Sequence, residues 1–307
     1  MERPMRVIFF IAALASILSV ALICLFLFAQ GIPAMSEIGV FKFLFGEVWK
    51  PNADPQQLGI LPMILGSVYI TGGAIIVGVP IGILVSLFMA KMCPKPLYRF
   101  LKPAMNLMAG IPSVIYGFFG MTVLVPLVKD IFGLPQGDSI LTASVLLGIM
   151  ILPTVITIAE TNLRAVPQEL YEGAVALGAS HERAVFKIVL PAARSGVLAA
   201  AVLGVGRAVG ETMAVRMVAG NQTLMRMPYD FLKGVRTLTA NVIMEMNYAV
   251  RGSLHDRSLI ATGVVLFVFI LIINSLFSML NADKKERTRK KRITQSGSAG
   301  EEGGEAR

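Results

Sequence analysis

The sequence predicts an all-α, polytopic membrane protein with six transmembrane helices, and three observations carry that expectation. The chain is 55% apolar and 15% charged, with a mean hydropathy of +0.71; soluble domains carry about 25% charged residues. Its apolar residues collect in six long runs, and a run of about 18 or more residues is a candidate to cross a bilayer. The formal charge of +9 is concentrated in segments flanking those runs, where it reads as membrane topology rather than as a nucleic-acid surface.

The first run, Val7 to Phe28, follows a short basic start with Arg3 and Arg6. It exceeds the ~7–15 residues of a signal-peptide core, and no small-residue cleavage site follows cleanly, so an uncleaved anchor is expected. The second run, Ile60 to Ala90, contains Pro62 and Pro80, which suggest an interfacial start and a kink. Such breaks survive in a bilayer where neighbouring helices or cavity water satisfy the freed carbonyls, which implies a bundle. The remaining runs are Pro103 to Val128, Ile140 to Ala159, Ala192 to Val218 and Leu259 to Leu280. In the third, Gly110-Ile-Pro112-Ser113-Val-Ile-Tyr116-Gly117 reads as a broken start or a bend, open between a packing kink and carbonyls turned to a cavity.

Six spans place both termini on one side. The segment with Lys91, Lys95, Arg99 and Lys102 has no acid, and the tail opens with Lys284, Lys285, Arg287, Arg289, Lys290, Lys291 and Arg292. The positive-inside rule therefore predicts cytoplasmic termini and a cytoplasmic loop around Glu172. The expected organisation is a transmembrane domain over 1–283, with a loop at about 161–191, and a basic then disordered tail over 284–307 whose proximal charges meet membrane lipid. The segment from about Asn221 to Arg257 is predicted outside yet holds Arg226, Lys233, Arg236, Arg251 and Arg257 against Asp230, Glu245 and Asp256. It reads either as a tolerated exception or as a weakly positive outer surface.

The loop after the fourth run has its own design. Pro167 suits the first turn of a helix and Glu169 complements its N-terminal dipole. Residues 168–177 then read helical, with Leu170, Ala174 and Leu177 on one face. Gly178 is placed for a C-terminal turn at positive φ, and Ser180 for the cap of a second helix with Glu182 in its first turn. The prediction is a helix, a tight turn and a helix, with small residues at Gly173, Ala174 and Ala176 that allow another protein to approach. Pro191 interrupts the entry to the fifth run.

The fifth run contains Arg207 and Glu211. Ionisable groups deep in a span cost on the order of 3 kcal/mol each and are functional candidates. The i, i+4 spacing predicts a shared helix face, and the Arg fork suits phosphate oxygens. An internal pair that fixes packing and a pair on a transport pathway are both compatible with it. Gly206 and Gly210, with Gly204 before them, predict a close helix contact, and Arg216 is expected to snorkel outward. Glu160 and Arg164 read as an ordinary helix pair.

Several chemistries are excluded. Cys24 and Cys93 are predicted at opposite membrane depths, and His181 and His255 lie far apart, so no metal or cofactor site is expected. No Gly-x4-Gly-Lys-Ser/Thr cradle is present for a nucleotide. Ser253 and His255, two apart in one loop, make poor geometry for a hydrolase. An ion-coupled secondary transporter usually shows inverted repeats and several midplane carboxylates; only one carboxylate, Glu211, falls deep in a run here.

The pattern Glu172-Gly173-Ala174, then Gly178, then Ile188-Val-Leu190-Pro191 resembles the coupling loop of ABC importer permeases, with Gly173 replacing the usual Ala. The segment Gly206-Arg207-Ala-Val-Gly210-Glu211-Thr-Met-Ala-Val is similar to the fifth-span signature of phosphate importer permeases. The Gly110–Gly117 segment resembles the PstC-type member of that family, and the resemblance runs from the first span to Leu280. It implies a type I ABC importer permease fold in a bacterial inner membrane and ATP-driven import of inorganic phosphate. It also implies a PstA-like sister permease, a PstB-like ATPase dimer and a periplasmic phosphate-binding protein. Arg207 and Glu211 become substrate-pathway residues, and Glu172, Gly173, Ala174, Gly178, Ile188, Leu190 and Pro191 become the ATPase-coupling loop. Another oxyanion, such as sulfate, molybdate or phosphonate, stays open at this stage.

Overall fold

The structure, a computed structural model, describes residues 2–275. The end of the sixth apolar run and the 284–307 tail lie outside the described residues. Two long helices open the membrane portion. Helix α1 is Glu2–Ile38 and is followed by the short α2, Val40–Phe45. A two-stranded antiparallel ribbon, β1 Trp49–Lys50 and β2 Gln57–Leu58, leads into α3, Leu61–Leu87. Pro62 sits in the first turn of α3, where its missing N–H has no helical partner to lose. Pro80 lies inside α3, which nevertheless continues to Leu87 and ends in a wide π turn at Phe88–Met92.

The third run begins later than its composition suggests. An amphipathic helix α4, Lys95–Gly110, takes up Pro103 and is followed by a break at Ile111 and Pro112. The span proper is Ser113–Phe132, built from α5 Ser113–Phe119, a π turn and α6 Val125–Phe132. Helix α7, Ile140–Arg164, is 25 residues long, or about 38 Å at ~1.5 Å per residue. After it come α8 Gln168–Ala176, α9 His181–Ala184, α10 Leu190–Ala192 and α11 Arg194–Gly210. The chain ends with α12 Met213–Val218, α13 Leu238–Glu245 and a final described helix α14, Leu254–Ser275.

Five of these segments are long and apolar enough to cross a membrane, and a sixth is reached by joining His181–Ala192 to Arg194–Gly210 across a 72° bend. The fifth run is therefore not the single helix expected over Ala192 to Val218. It starts at Arg194 and stops at Gly210, and the chain resumes helix only at Met213.

The chain divides into two compact units. The first comprises Met1–Val77, Ile111–Met150 and Ala208–Val268. Its core gathers Ala34, Phe43, Trp49, Ile60, Met63, Leu238 and Leu259. The first amides of α7 need acceptors outside the helix. Ile140 N–H donates to the Lys233 carbonyl at 3.1 Å and Leu141 N–H to that of Phe231 at 2.8 Å. The 219–237 segment is thereby laid over the start of that helix.

The basic residues of the 221–257 segment are largely partnered. Arg236 bonds Glu245 at 2.8 Å and Asn241 at 3.1 Å, Arg257 bonds Glu37 at 2.8 Å, and Lys233 bonds Asp230 at 2.8 Å. The hydrogen bond from Lys233 holds the Asp230 carboxyl below its ordinary range. Most of these cations are thus paired within the fold.

The second unit contains Gly78–Gly110 and Ile151–Arg207, with residues 269–275. Its core joins Leu87 of α3, Ala159 and Leu163 of α7, Val185 and Val189, and Val197 and Ala200 of α11. Gly82 and Gly204 both face Val155, where an added Cβ would lie 2.8 and 2.6 Å from its methyl groups. Small residues allow that close helix approach. Within this chain the crowding falls at Gly204, while a Cβ at Gly206 or Gly210 would meet nothing within 4 Å.

Candidate functional site: a helical hairpin and two membrane charges

The hairpin forms as its sequence requires. Pro167 is the residue before α8 rather than inside it, with extended backbone, and its carbonyl accepts from Leu170 N–H at 3.3 Å. At the other end Gly178 takes φ +85°. Its N–H donates to Val175 O at 2.9 Å, and Ala179 N–H reaches back to Ala174 O at 3.1 Å. That pair of bonds is the Schellman closure of a helix, which needs a left-handed residue at this position. Ser180 then caps α9, its hydroxyl accepting from Arg183 N–H at 3.3 Å. A π turn over Val185–Val189 follows, next to Pro191, which cannot donate to the Lys187 carbonyl.

Across the hairpin, Tyr171 and His181 bond at 2.7 Å and pack edge to face at 5.6 Å. Sequence reasoning missed this brace, although an aromatic and an imidazole on consecutive helices were the available signal. Val185 and Val189 point inward and are fully buried, while Leu177 is 92% exposed. The face of Leu170, Ala174 and Leu177 is thus turned away from the core.

The predicted loop residues separate into four groups. Ala174, Gly178 and Ile188 line one groove of about 310 Å³ together with Leu177, Arg183 and Lys187. Pro191 borders a second recess with Pro167, Leu170 and Arg194, and Leu190 packs against the unit's core. Glu172 and Gly173 sit exposed on α8, with Glu172 accepting from Gln168 at 2.9 Å. The arrangement is a small-residue surface with the two basic side chains Arg183 and Lys187 along its groove.

Arg207 and Glu211 do not share a helix face. Helix α11 ends at Gly210, so the i, i+4 geometry stops before Glu211. The Glu211 carboxylate instead accepts from Thr212 N–H at 3.1 Å and Ala214 N–H at 3.2 Å, capping the start of α12. The physical reason is competition: the free amides of a new helix are closer acceptor-seeking partners than a side chain a turn back. Arg207, half-buried, donates to the Thr154 hydroxyl at 3.0 Å. Arg216 is half-buried at α12, and its carbonyl accepts from Asn221 at 2.7 Å.

A third constellation was read from sequence as an ordinary helix pair and is more. Glu160, 1% exposed, bonds Arg164 at 2.6 Å, Lys102 at 2.5 Å and the Tyr98 hydroxyl at 2.7 Å. The Tyr98 and Lys102 spacing on α4 was the only sequence hint. Among the described residues, no three His, Cys, Asp or Glu side chains gather as metal ligands.

Residues 82–286 match the family described as "Binding-protein-dependent transport system inner membrane component". The chain is 36% identical over 280 residues to the Bacillus subtilis "Probable ABC transporter permease protein YqgH", covering 89% of this chain and 90% of that one. It is 35% identical over 280 residues to the "Phosphate transport system permease protein PstC" of Mesorhizobium japonicum, covering 84% of each. Among solved structures, the fold is similar to a chain of the inward-facing MetNI methionine ABC transporter, with a TM-score of 0.58 over 73% of this chain and 95% of that one at 20% identity. It is also similar to a chain of a bacterial alginate ABC importer, with a TM-score of 0.59 over 92% and 99% at 15% identity.

Proposed function

Because the chain belongs to the family of binding-protein-dependent transport system inner membrane components, we propose that it is the membrane-spanning permease subunit of an ATP-driven importer of inorganic phosphate. The observation that carries the proposal is the helical hairpin closed at Gly178, a docking surface on a chain with no nucleotide cradle of its own. ATP hydrolysis then belongs to a separate pair of PstB-like ATPase subunits. They grip the hairpin through Ala174, Gly178 and Ile188, with Glu172 and Gly173 on the exposed helix and Leu190 and Pro191 at its base.

Phosphate is supported by the phosphate permeases among the relatives and by the chemistry of Arg207. Its guanidinium carries five donors, of which one meets Thr154. The rest suit a tetrahedral oxyanion, and burial strengthens such charge-assisted bonds. Arg207 is proposed as the cation that phosphate meets, and Glu211 as a second pathway residue held in place by its capping bonds. A PstA-like sister permease completes the pathway, and a periplasmic phosphate-binding protein delivers the anion. The charge asymmetry of the flanking segments supports cytoplasmic termini and a cytoplasmic hairpin. The domain reading, a membrane permease over 1–283 with a basic tail at 284–307 against anionic lipid, completes the proposal.

The test is purification of the chain with its companions in mild detergent, then uptake of labelled phosphate by liposomes carrying the complex. Phosphate should compete with the label while sulfate, molybdate and phosphonate do not. Stronger competition by one of those anions would refute the phosphate assignment.

A further inference from the structure

Helix α4 has no fully buried residue, and its inner face is half-buried. Polar contacts made by Tyr98 and Lys102 give it a directed anchor. The two are one turn apart on the same face of α4 and converge on one carboxylate: the Tyr98 hydroxyl donates to Glu160 Oε1 at 2.7 Å and Lys102 Nζ to Oε2 at 2.5 Å. Glu160 belongs to the last turns of α7. Arg164, one turn on, donates through Nε to Oε1 at 2.6 Å and through its terminal nitrogen to the Met89 carbonyl at 2.8 Å. Its guanidinium also lies 4.3 Å over the Tyr98 ring. A single buried carboxylate therefore joins α4, the end of α7 and the wide turn that closes α3.

The hairpin starts at the same place. Arg164 is the last residue of α7, and Pro167 already precedes α8. Ala159 and Leu163 of α7 share the apolar core with Val185 and Val189 of the hairpin. The hairpin is thus packed against the turn of α7 whose polar side holds α4. Apolar contacts tolerate sliding, whereas short charge-assisted hydrogen bonds fix direction and distance.

We propose that Glu160 is a positioning residue of the coupling step: it ties α4 to the hairpin's root, so that α4 moves when the hairpin is moved. The inference rests on the reading of the hairpin as the ATPase docking element. Glu160 touches neither nucleotide nor solute and acts through Tyr98, Lys102 and Arg164. The structural alternative, a cluster that only stabilises the fold, predicts loss of assembled complex without loss of coupling.

The experiment compares wild type with a Tyr98→Phe/Lys102→Met variant in the complete complex with its ATPase. The variant leaves the Glu160–Arg164 pair intact. Hydrogen exchange over residues 95–110 is measured with and without ATP, beside the solute moved per ATP hydrolysed. In wild type, ATP should change exchange across α4. In the variant that response should vanish, and solute moved per ATP should fall about tenfold, the factor that ~1.4 kcal/mol of lost interaction gives. An ATP response of α4 equal to wild type would overturn the proposal, as would its absence from wild type. If the double variant does not assemble, Tyr98→Phe alone decides by the same comparison. The exchange readout does not depend on which solute is carried, so failure of wild type to move phosphate would count against the function proposed above and leave this test able to decide.

Discussion

Gly178 offers a perturbation whose magnitude follows from the backbone alone. Its φ is +85°, and a Cβ built on it meets nothing within 4 Å. A substitution there has no steric clash within the chain to relieve, so its effect on closure of α8 is conformational. A left-handed residue bearing a Cβ costs roughly 1–2 kcal/mol. Gly178→Ala should therefore weaken closure of α8 by that amount, a factor of about 5–30 in the closed population. Asn visits the left-handed region more readily than Ala, so Gly178→Asn should cost less. Gly178→Pro should cost most, because it fixes φ near −65° and deletes the 2.9 Å bond to Val175 O. The assay is amide exchange of Ala179, whose N–H closes the turn on Ala174 O, together with recovery of the ATPase in the purified complex. Protection should fall in the order Gly, Asn, Ala, Pro, with ATPase recovery following it. Equal protection in Gly178→Ala and wild type would refute the reasoning, because no packing difference exists to compensate.

Other outcomes follow from neighbouring residues. Gly173 lies in the exposed interior of α8 with open space where a Cβ would stand; Gly173→Ala should stabilise the helix by about 0.5–1 kcal/mol, read as increased exchange protection of α8. Ala174→Trp would fill the groove it shares with Leu177 and Ile188, so the ATPase should be lost from the purified complex while the chain's helix content by circular dichroism stays the same. Arg207→Gln should abolish phosphate uptake with the complex still assembled, and Arg207→Lys should restore little, since a point charge lacks the planar fork; normal uptake in Arg207→Gln would remove that residue from the mechanism.

Periodicity and punctuation made much of this legible before any coordinates. The hairpin could be placed almost to the residue because its signals are local: Gly178 needs its own φ, and Ser180 its own cap. The apolar runs located α1, α3, α7 and α14, since length and hydropathy are properties of a segment. What stayed hidden depends on contacts distant in sequence or on competition between local bonds. Glu160 meets partners 58 and 62 residues away, and an i, i+4 pairing with Arg164 concealed the other two. The break after Gly210 was hidden because Arg207 and Glu211 have the spacing of a helix pair, while the amides of α12 offered Glu211 better bonds. In the 221–257 segment the local acids Asp230 and Glu245 were in view, whereas Arg257 finds Glu37 only through the fold.

The most direct test of the account is uptake of labelled phosphate into liposomes holding the whole complex, with all ion gradients dissipated. Addition of ATP should start uptake when the ATPase subunits are present, and omitting them should abolish it. Uptake by this chain and its sister permease without the ATPase, or uptake that needs an ion gradient and ignores ATP, would contradict the account.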